Sequence, residues 1–185
     1  MRIIAGTARG RNFEAPEGRS ARPTLDRVRE ALFGMIQFDI EGREVLDLFA
    51  GSGALGMEAL SRGAASAVFC DKSRNNAALV SKNLKTLNFS ENSEVFCCDA
   101  VSLLKQLSSE HRRFSLVFLD PPYASDLIEN VLPLMEEYGL LKNGCIIIAE
   151  HERKSPVAFE HPQFHKREPR FYGETAVTLI RFEEE

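Results

Sequence analysis

From residue 43 onward, short apolar runs alternate with amphipathic helical stretches, and this constrains the fold more than any other feature of the chain. REVLDLF (43–49), SAVFCD (66–71), SEVFCC (93–98), SLVFLD (115–120) and CIIIAE (145–150) read as buried strands. Between them lie SGALGMEALSRG (52–63), SRNNAALVSKNLKTLN (73–88), a short helix opening DAVSLLKQL, and SDLIENVLPLMEEYG (125–139), with Pro133 as a point of bending. Strands apolar along their whole length must be covered on both faces, which implies a parallel sheet between two helical layers. Right-handed crossovers make that sheet doubly wound and Rossmann-like, with ligands at the carboxyl ends of the strands. FHKREPRF and ETAVTLIRF, within residues 164–182, are expected to pair as terminal antiparallel strands. In the helix from Ser73, Ala77, Val80, Leu84 and Leu87 share one face at helical spacing, and Ser73 is the expected N-cap.

Residues 1–40 precede this pattern and are expected to form an accessory layer, with residues 41–185 as the main domain. MRIIAGTARGRNFEAP suits a hairpin turning at Gly6 and Gly10. TLDRVREALFGMI suits a helix with Thr24 as N-cap and Leu25, Val28, Leu32 and Met35 or Ile36 inward. Residues 1–29 hold seven arginines (Arg2, Arg9, Arg11, Arg19, Arg22, Arg27, Arg29) and no lysine, against Glu14, Glu17 and Asp26, a net +4. The whole chain carries −4, so the remaining residues carry −8. Arginine's planar fork suits phosphate, so the arm reads either as a nucleic-acid-facing surface or as a solvated basic loop.

No run approaches the roughly 20 apolar residues of a membrane span, and the amino terminus has no apolar stretch of signal-peptide length, so a cytoplasmic location is expected. The four cysteines form no C-x-x-C pair and are expected to be reduced, buried strand thiols. His161 and His165 are spaced i, i+4, but Pro162 breaks a helix there and no metal is expected. His111 and His151 are expected to face solvent.

LDLFAGSGALG (46–56) contains Gly51-x-Gly53-x-x-Gly56, and Asp71 lies 20 residues beyond Gly51. This spacing matches the dinucleotide fingerprint. The carboxylates around it argue for a different cofactor. Asp47 would repel a pyrophosphate lying over the loop and attract an ammonium. S-adenosylmethionine (SAM) carries an ammonium and a sulfonium and no phosphate. Asp71 can accept from both ribose hydroxyls, with Lys72 beside it, and Asp99 with the Ala100 backbone can meet the adenine amine. Gly51, Ser52 and Gly53 complete the candidate loop. Asp99 and Ser73 would also serve as plain helix caps.

FLDPPYASD (118–126) ends the fourth strand in Asp120-Pro121-Pro122-Tyr123. A residue before proline is pushed out of the helical region, so this tetrapeptide is stiff and extended. The Asp120 carboxylate and the Pro121 carbonyl are two fixed acceptors, which match an exocyclic NH₂ on a nucleobase. Hydrogen bonds to both N–H groups localise the nitrogen lone pair and aim it at a methyl donor. Asp120, or a water that it holds, can take the leaving proton. Tyr123 offers a stacking face for an unpaired or flipped base.

RIIAGTARGRNF, RPTLDRVREALF (22–33), LDLFAGSGALGMEALSRGA (46–64), DPPY and YGET (172–175) occur in the order seen in one family. On these motifs the chain resembles the bacterial small-subunit ribosomal RNA guanine-N2 methyltransferases. The resemblance implies a seven-stranded class I SAM methyltransferase fold with helices on both faces and a small amino-terminal extension. It implies methyl transfer to the N2 amine of a guanine in small-subunit (16S) ribosomal RNA, in an assembled or assembling subunit, by a monomer. By position it assigns Asp120 to Tyr123 to catalysis and Asp47, Gly51, Gly53, Asp71, Asp99 and Ala100 to the cofactor. It places the Arg22-Pro23-Thr24 loop near the active site and favours RNA contact by Arg2, Arg9, Arg11 and Arg19. Gly34 departs from the pattern, where Asn is expected. The alternatives are a DNA adenine-N6 or cytosine-N4 methyltransferase, a non-catalytic ribosome-assembly module, and an NAD-linked oxidoreductase.

Overall fold

The computed structural model describes residues 1–16, 23–122 and 125–184, and for residues 23–25 the backbone alone. Helix α1 (Pro23–Met35) leads into a sheet in which strand and helix alternate: β1 (Glu44–Asp47), α2 (Ala54–Ser61), β2 (Ser66–Cys70), α3 (Arg74–Leu87), β3 (Ser93–Phe96), α4 (Ala100–Ser109), β4 (Phe114–Leu119), α5 (Leu127–Glu137) and β5 (Leu141–Glu152). Three strands close the chain: β6 (Phe164–Lys166), β7 (Arg170–Tyr172) and β8 (Thr175–Phe182). The sheet order is β3-β2-β1-β4-β5-β8-β6, with β7 also on β8. Strands β1 to β5 run parallel and β8 runs antiparallel to β5.

This is the doubly wound sheet expected from the sequence, with one modification. Strand β6 pairs with Ile180–Phe182 and β7 with Thr175–Val177, so both lie on the same edge of β8. They fill a single outer position broken near Pro169, which has no N–H to donate to a ladder. The expected seven strand positions therefore contain eight strands.

Because side chains alternate along a strand, one residue in two faces each layer. Val45, Leu116, Phe118, Ile146 and Ile148 pack in one core with Val28, Leu32, Phe33 and Ile36 of α1, Met57 and Leu60 of α2, and Val80, Leu84 and Leu87 of α3. Leu46, Val117, Leu119, Ile147 and Ala149 pack in the other with Leu103, Leu104 and Leu107 of α4 and Val131, Leu132 and Met135 of α5. Ser73 and Asp99 cap α3 and α4 by accepting from Asn76 N and Ser102 N. Gly34 is exposed near the end of α1 and meets no neighbour, so its departure from the family pattern touches nothing. Among the described residues no helix is long and apolar enough to cross a membrane.

The amino-terminal arm turns as expected. Arg2 and Asn12 form an antiparallel bridge, and Ile3 N donates to Arg11 O at 3.0 Å. The arm is clamped to α2. Ile4 N and Ala5 N donate to the two Glu58 carboxylate oxygens at 2.8 and 3.0 Å, Thr7 N to Ser61 O at 2.7 Å, and Ala8 N to Ser61 Oγ at 3.0 Å. Ile3, Ala8 and Phe13 are buried in the core that also holds α1 and α2.

Three expectations are corrected. Helix α1 begins at Pro23, so Thr24 is its second residue and not its N-cap. Cys70 and Cys145 are buried, but Cys97 is exposed and Cys98 half-buried, because β3 ends at Phe96 and both thiols lie beyond it. His151 is buried rather than solvent-facing, because β5 runs two residues past Glu150. Its Nε2 lies 2.8 Å from Thr178 Oγ1 and its Nδ1 2.9 Å from Glu152 O.

Candidate active site

The chain winds outward from β1 through β2 to β3 and then crosses back to β4 on the other side of β1, and this reversal opens a crevice above the carboxyl ends of β1 and β4. Two cavities share this crevice. The larger, about 470 Å³, is lined by Phe49, Gly51, Asp71, Lys72, Ser73, Asn76, Cys98, Asp99, Ala100, Asp120 and Pro122, among others. The smaller, about 130 Å³, is lined by Asp47, Gly51, Ser52, Ala54, Leu55, Asp120 and Glu150 from the sheet side. Val28 and Arg29 of α1 and Met1 and Pro16 of the arm close it from above. Phe49, Gly51, Asp120 and Pro16 line both.

The loop after β1 is held in shape by two of its candidate acids. Asp47, 1% exposed at the end of β1, accepts from Gly56 N at 3.0 Å. Burial pushes its carboxyl up to about 7, the Gly56 N–H opposes the rise, and the nearby carboxylates Asp120 and Asp71 add to it. Asp71 accepts from Gly51 N at 2.9 Å, Ser73 N at 2.8 Å and Asn76 Nδ2 at 3.1 Å. Gly53 is the N-cap of α2 and stands just behind the lining residues. Ser52 is buried, and its carbonyl accepts from Asn83 Nδ2 at 3.1 Å. Asn83, itself buried on α3, also exchanges hydrogen bonds with the backbone of Glu14 in the arm. Asp99 is exposed, and Ser102 occupies both of its oxygens through its hydroxyl and N–H, which hold its carboxyl below the usual range. It therefore caps α4 and lines the larger cavity at once.

Asp120 stands at the junction of the two cavities. Leu119 pairs with Ala149 across β4 and β5, so Glu150 is the next strand-end residue beside Asp120. Pro121 is buried and Pro122 exposed. Both line a neighbouring hollow with Glu150, His151 and Val157. Tyr123, Arg19 and Arg22, and the side chain of Thr24, lie outside the described residues.

The basic arm is more committed than its composition suggests. Arg11 donates to the Thr86 and Leu87 carbonyls and so caps the carboxyl end of α3. Arg2 and Arg9 are exposed and border a hollow that also contains Asp26 and Glu30. Among the described residues the most deeply buried cation is Arg29, 4% exposed. Composition counts Arg29 only as one of the seven arginines of residues 1–29. The available signal was its spacing: Arg29 follows Val28 and precedes Leu32 and Phe33 on the buried side of α1.

The comparisons agree with this architecture. The family model described as "Conserved hypothetical protein 95" matches residues 1–181. The chain is 38% identical over 181 residues to the Bacillus subtilis protein YlbH, covering 98% of each, and 37% identical over 183 residues to the Escherichia coli ribosomal RNA small subunit methyltransferase D, covering 99% of this chain and 90% of that one. The solved structure of Escherichia coli yhhF superposes with a TM-score of 0.88 at 34% identity, over 100% of this chain and 99% of that one.

Proposed function

The chain belongs to the conserved hypothetical protein 95 family, that of the small-subunit ribosomal RNA methyltransferases D, and from that premise we propose that it transfers a methyl group from S-adenosylmethionine to the N2 amine of a guanine in small-subunit ribosomal RNA. The sheet is the class I methyltransferase fold, and SAM is its cofactor. The observation that carries the reading is the position of Asp120, on the wall shared by the two cavities.

The donor set fits SAM. The larger cavity presents Asp71 and Asp99 for the ribose and adenine, with Lys72 and Ala100 beside them. Asp47 is a buried carboxylate whose charged neighbours are other carboxylates, so an ammonium relieves it and a pyrophosphate would not. Bound there, the cofactor supplies an electrophilic methyl on a sulfonium. The chain's own residues do the rest. Asp120 and the Pro121 carbonyl accept the two amine hydrogens and hold the nitrogen in line, and Asp120 takes the proton after transfer. Tyr123 stacks on the base, and Arg2, Arg9, Arg19 and Arg22 with Thr24 face the RNA backbone.

Glu150 supports guanine over the other two amine-bearing bases. The ring nitrogen N1, next to the guanine N2 amine, carries a hydrogen. The corresponding ring nitrogens of adenine and cytosine offer a lone pair. A carboxylate beside Asp120 can accept N1–H from guanine and repels the lone pair of the others.

Incubation with methyl-labelled SAM and small ribosomal subunits, naked ribosomal RNA or DNA, followed by digestion to nucleosides, tests this. N2-methylguanosine from the ribosomal substrates is expected. N6-methyladenine or N4-methylcytosine from DNA would overturn the base assignment.

Asp47 also makes cofactor affinity pH-dependent. In the ligand-free fold it is largely protonated at pH 6 and largely ionised at pH 8, and the ammonium needs the ionised form. SAM affinity is expected to rise about tenfold between roughly pH 6 and pH 8, with proton release on binding. Calorimetry in buffers of different ionisation heat reads both, and a flat profile would mean that Asp47 does not meet the ammonium. The sign for stability is opposite. This group's contribution is fully present below its unfolded pKa and is lost as pH rises through about 7.

A further inference from the structure

The rim that carries Asp120 continues past the two cavities to the far edge of the sheet. Leu119 pairs with Ala149, Glu150 with Val177 and Val177 with Arg170. Asp120, Glu150, Val177 and Arg170 therefore stand in one row across four neighbouring strand positions. Three strand spacings set the backbone of Arg170 about 14 Å from that of Asp120. One residue further out, His151, Ala176 and Phe171 form the next row.

The YGET segment (172–175), which plays no part in the cavities, makes the two-residue turn between β7 and β8, with Gly173 at a φ of +64°. Arg153 N donates to Glu174 O at 2.8 Å and so ties this turn to the end of β5. The Arg153 guanidinium lies over the Phe171 ring, 4.8 Å from its centroid. Phe171 nevertheless stays 49% exposed. Among the described residues the other exposed large apolar side chain is Phe38, which precedes β1 and so lies at the opposite end of the strands. Arg153, Lys154 and Arg170 are exposed and pair with no acid among the described residues, whereas nearby Lys166 is held by Glu160 at 2.5 Å. Residues 153–174 hold five lysines and arginines against Glu160, Glu168 and Glu174, a net +2 inside a stretch from residue 30 onward that carries −8.

An aromatic ring under an unpaired guanidinium, with two more cations beside it, suits a single-stranded nucleic acid. Bases stack on aromatic rings and on guanidinium planes, and arginine forks take phosphate. An acidic peptide would answer the cations but not the flat stack. Continuity with the Asp120 row decides for RNA, because the strand flanking a guanine held at Asp120 has to cross this rim. We propose that the edge formed by the end of β5 and β7 grips the single strand next to the target guanine. A neighbouring base stacks on the Arg153–Phe171 pair, and Lys154 and Arg170 contact the phosphates. The assignment rests on the ribosomal RNA reading above. It adds a second RNA surface, toward the opposite edge of the sheet from the arm on α2 and α3.

Filter binding of small-subunit ribosomal RNA from cells lacking the enzyme, naked and in subunits, at several salt concentrations tests this. Phe171→Ala is expected to bind both about 5–150-fold more weakly, the range for losing one base stack, with little change in salt dependence. Phe171→Trp keeps a flat face and should bind within about twofold of wild type. Lys154→Gln combined with Arg170→Gln should make the slope of log affinity against log salt shallower by about 1.4, as for two lost phosphate contacts on a single strand. Affinity for S-adenosylhomocysteine should stay within about twofold in every variant, and Phe38→Ala should bind RNA as wild type does. Unchanged RNA affinity and slope in the edge variants would overturn the proposal. So would a loss confined to subunits, which would show that the edge meets a ribosomal protein, or a parallel loss of S-adenosylhomocysteine, which would show that Phe171 only supports the fold. If wild type retains neither naked RNA nor subunits, the ribosomal RNA reading fails and this inference with it.

Discussion

Asp120→Ala is expected to bind S-adenosylhomocysteine about as well as wild type and to lose methyl transfer by about 10²–10⁴-fold, the range for removing a positioned proton acceptor. The glycine loop is fastened by Asp71 on Gly51 and Asp47 on Gly56. Removing Asp120 also takes away one of the carboxylates that push the Asp47 pKa up. Cofactor affinity near pH 6 should therefore hold or improve while turnover collapses. Paired titration calorimetry and single-turnover methylation read the two quantities. A parallel fall in both would mean that Asp120 is a cofactor ligand and that the amine is held elsewhere.

Gly6→Ala is expected to cost roughly 3 kcal/mol or more, with the arm as the part that fails first. A Cβ at this position would sit 1.8 Å from the Ser61 carbonyl oxygen and 2.3 Å from its carbon, and the backbone φ of +84° is itself strained for alanine. Ser61 cannot retreat cheaply, because its carbonyl accepts from Thr7 N and its hydroxyl bridges Ala8 N and Ala5 O. The change should appear as a lower denaturant midpoint and as faster amide exchange over residues 3–8. A variant as stable as wild type would show that the arm is not seated on α2 as described.

The sheet was readable because its strands are apolar on both faces, and only a parallel sheet between helical layers needs that. Asp47, Asp71, Asp99 and Asp120 were readable because strand ends converge in such a sheet whatever the details of packing. Arg29 was readable only in part: its helical spacing sets it beside Leu32 and Phe33, but its burial is completed by the arm, whose Arg2 carbonyl and Phe13 ring it meets, and no local period records that contact. Arg11 shows the same limit: composition counts it among the basic residues of the arm, and only the tertiary approach to the end of α3 reveals that its guanidinium donates to the Thr86 and Leu87 carbonyls. His151 was misplaced by strand length, since the apolar run ends at Ala149 while pairing with β8 continues to Glu152.

Asn83 spans three segments through one amide, holding the Glu14 backbone on one side and the Ser52 carbonyl on the other. Lifting the arm therefore strips the glycine loop of a support, and loosening the loop frees the arm. The two behave as one cooperative unit of local opening. By mass action, a molecule gripped by the loop lends part of its binding free energy to keeping residues 1–16 docked, so the surface offered to a large partner is firmest when the small one is already aboard.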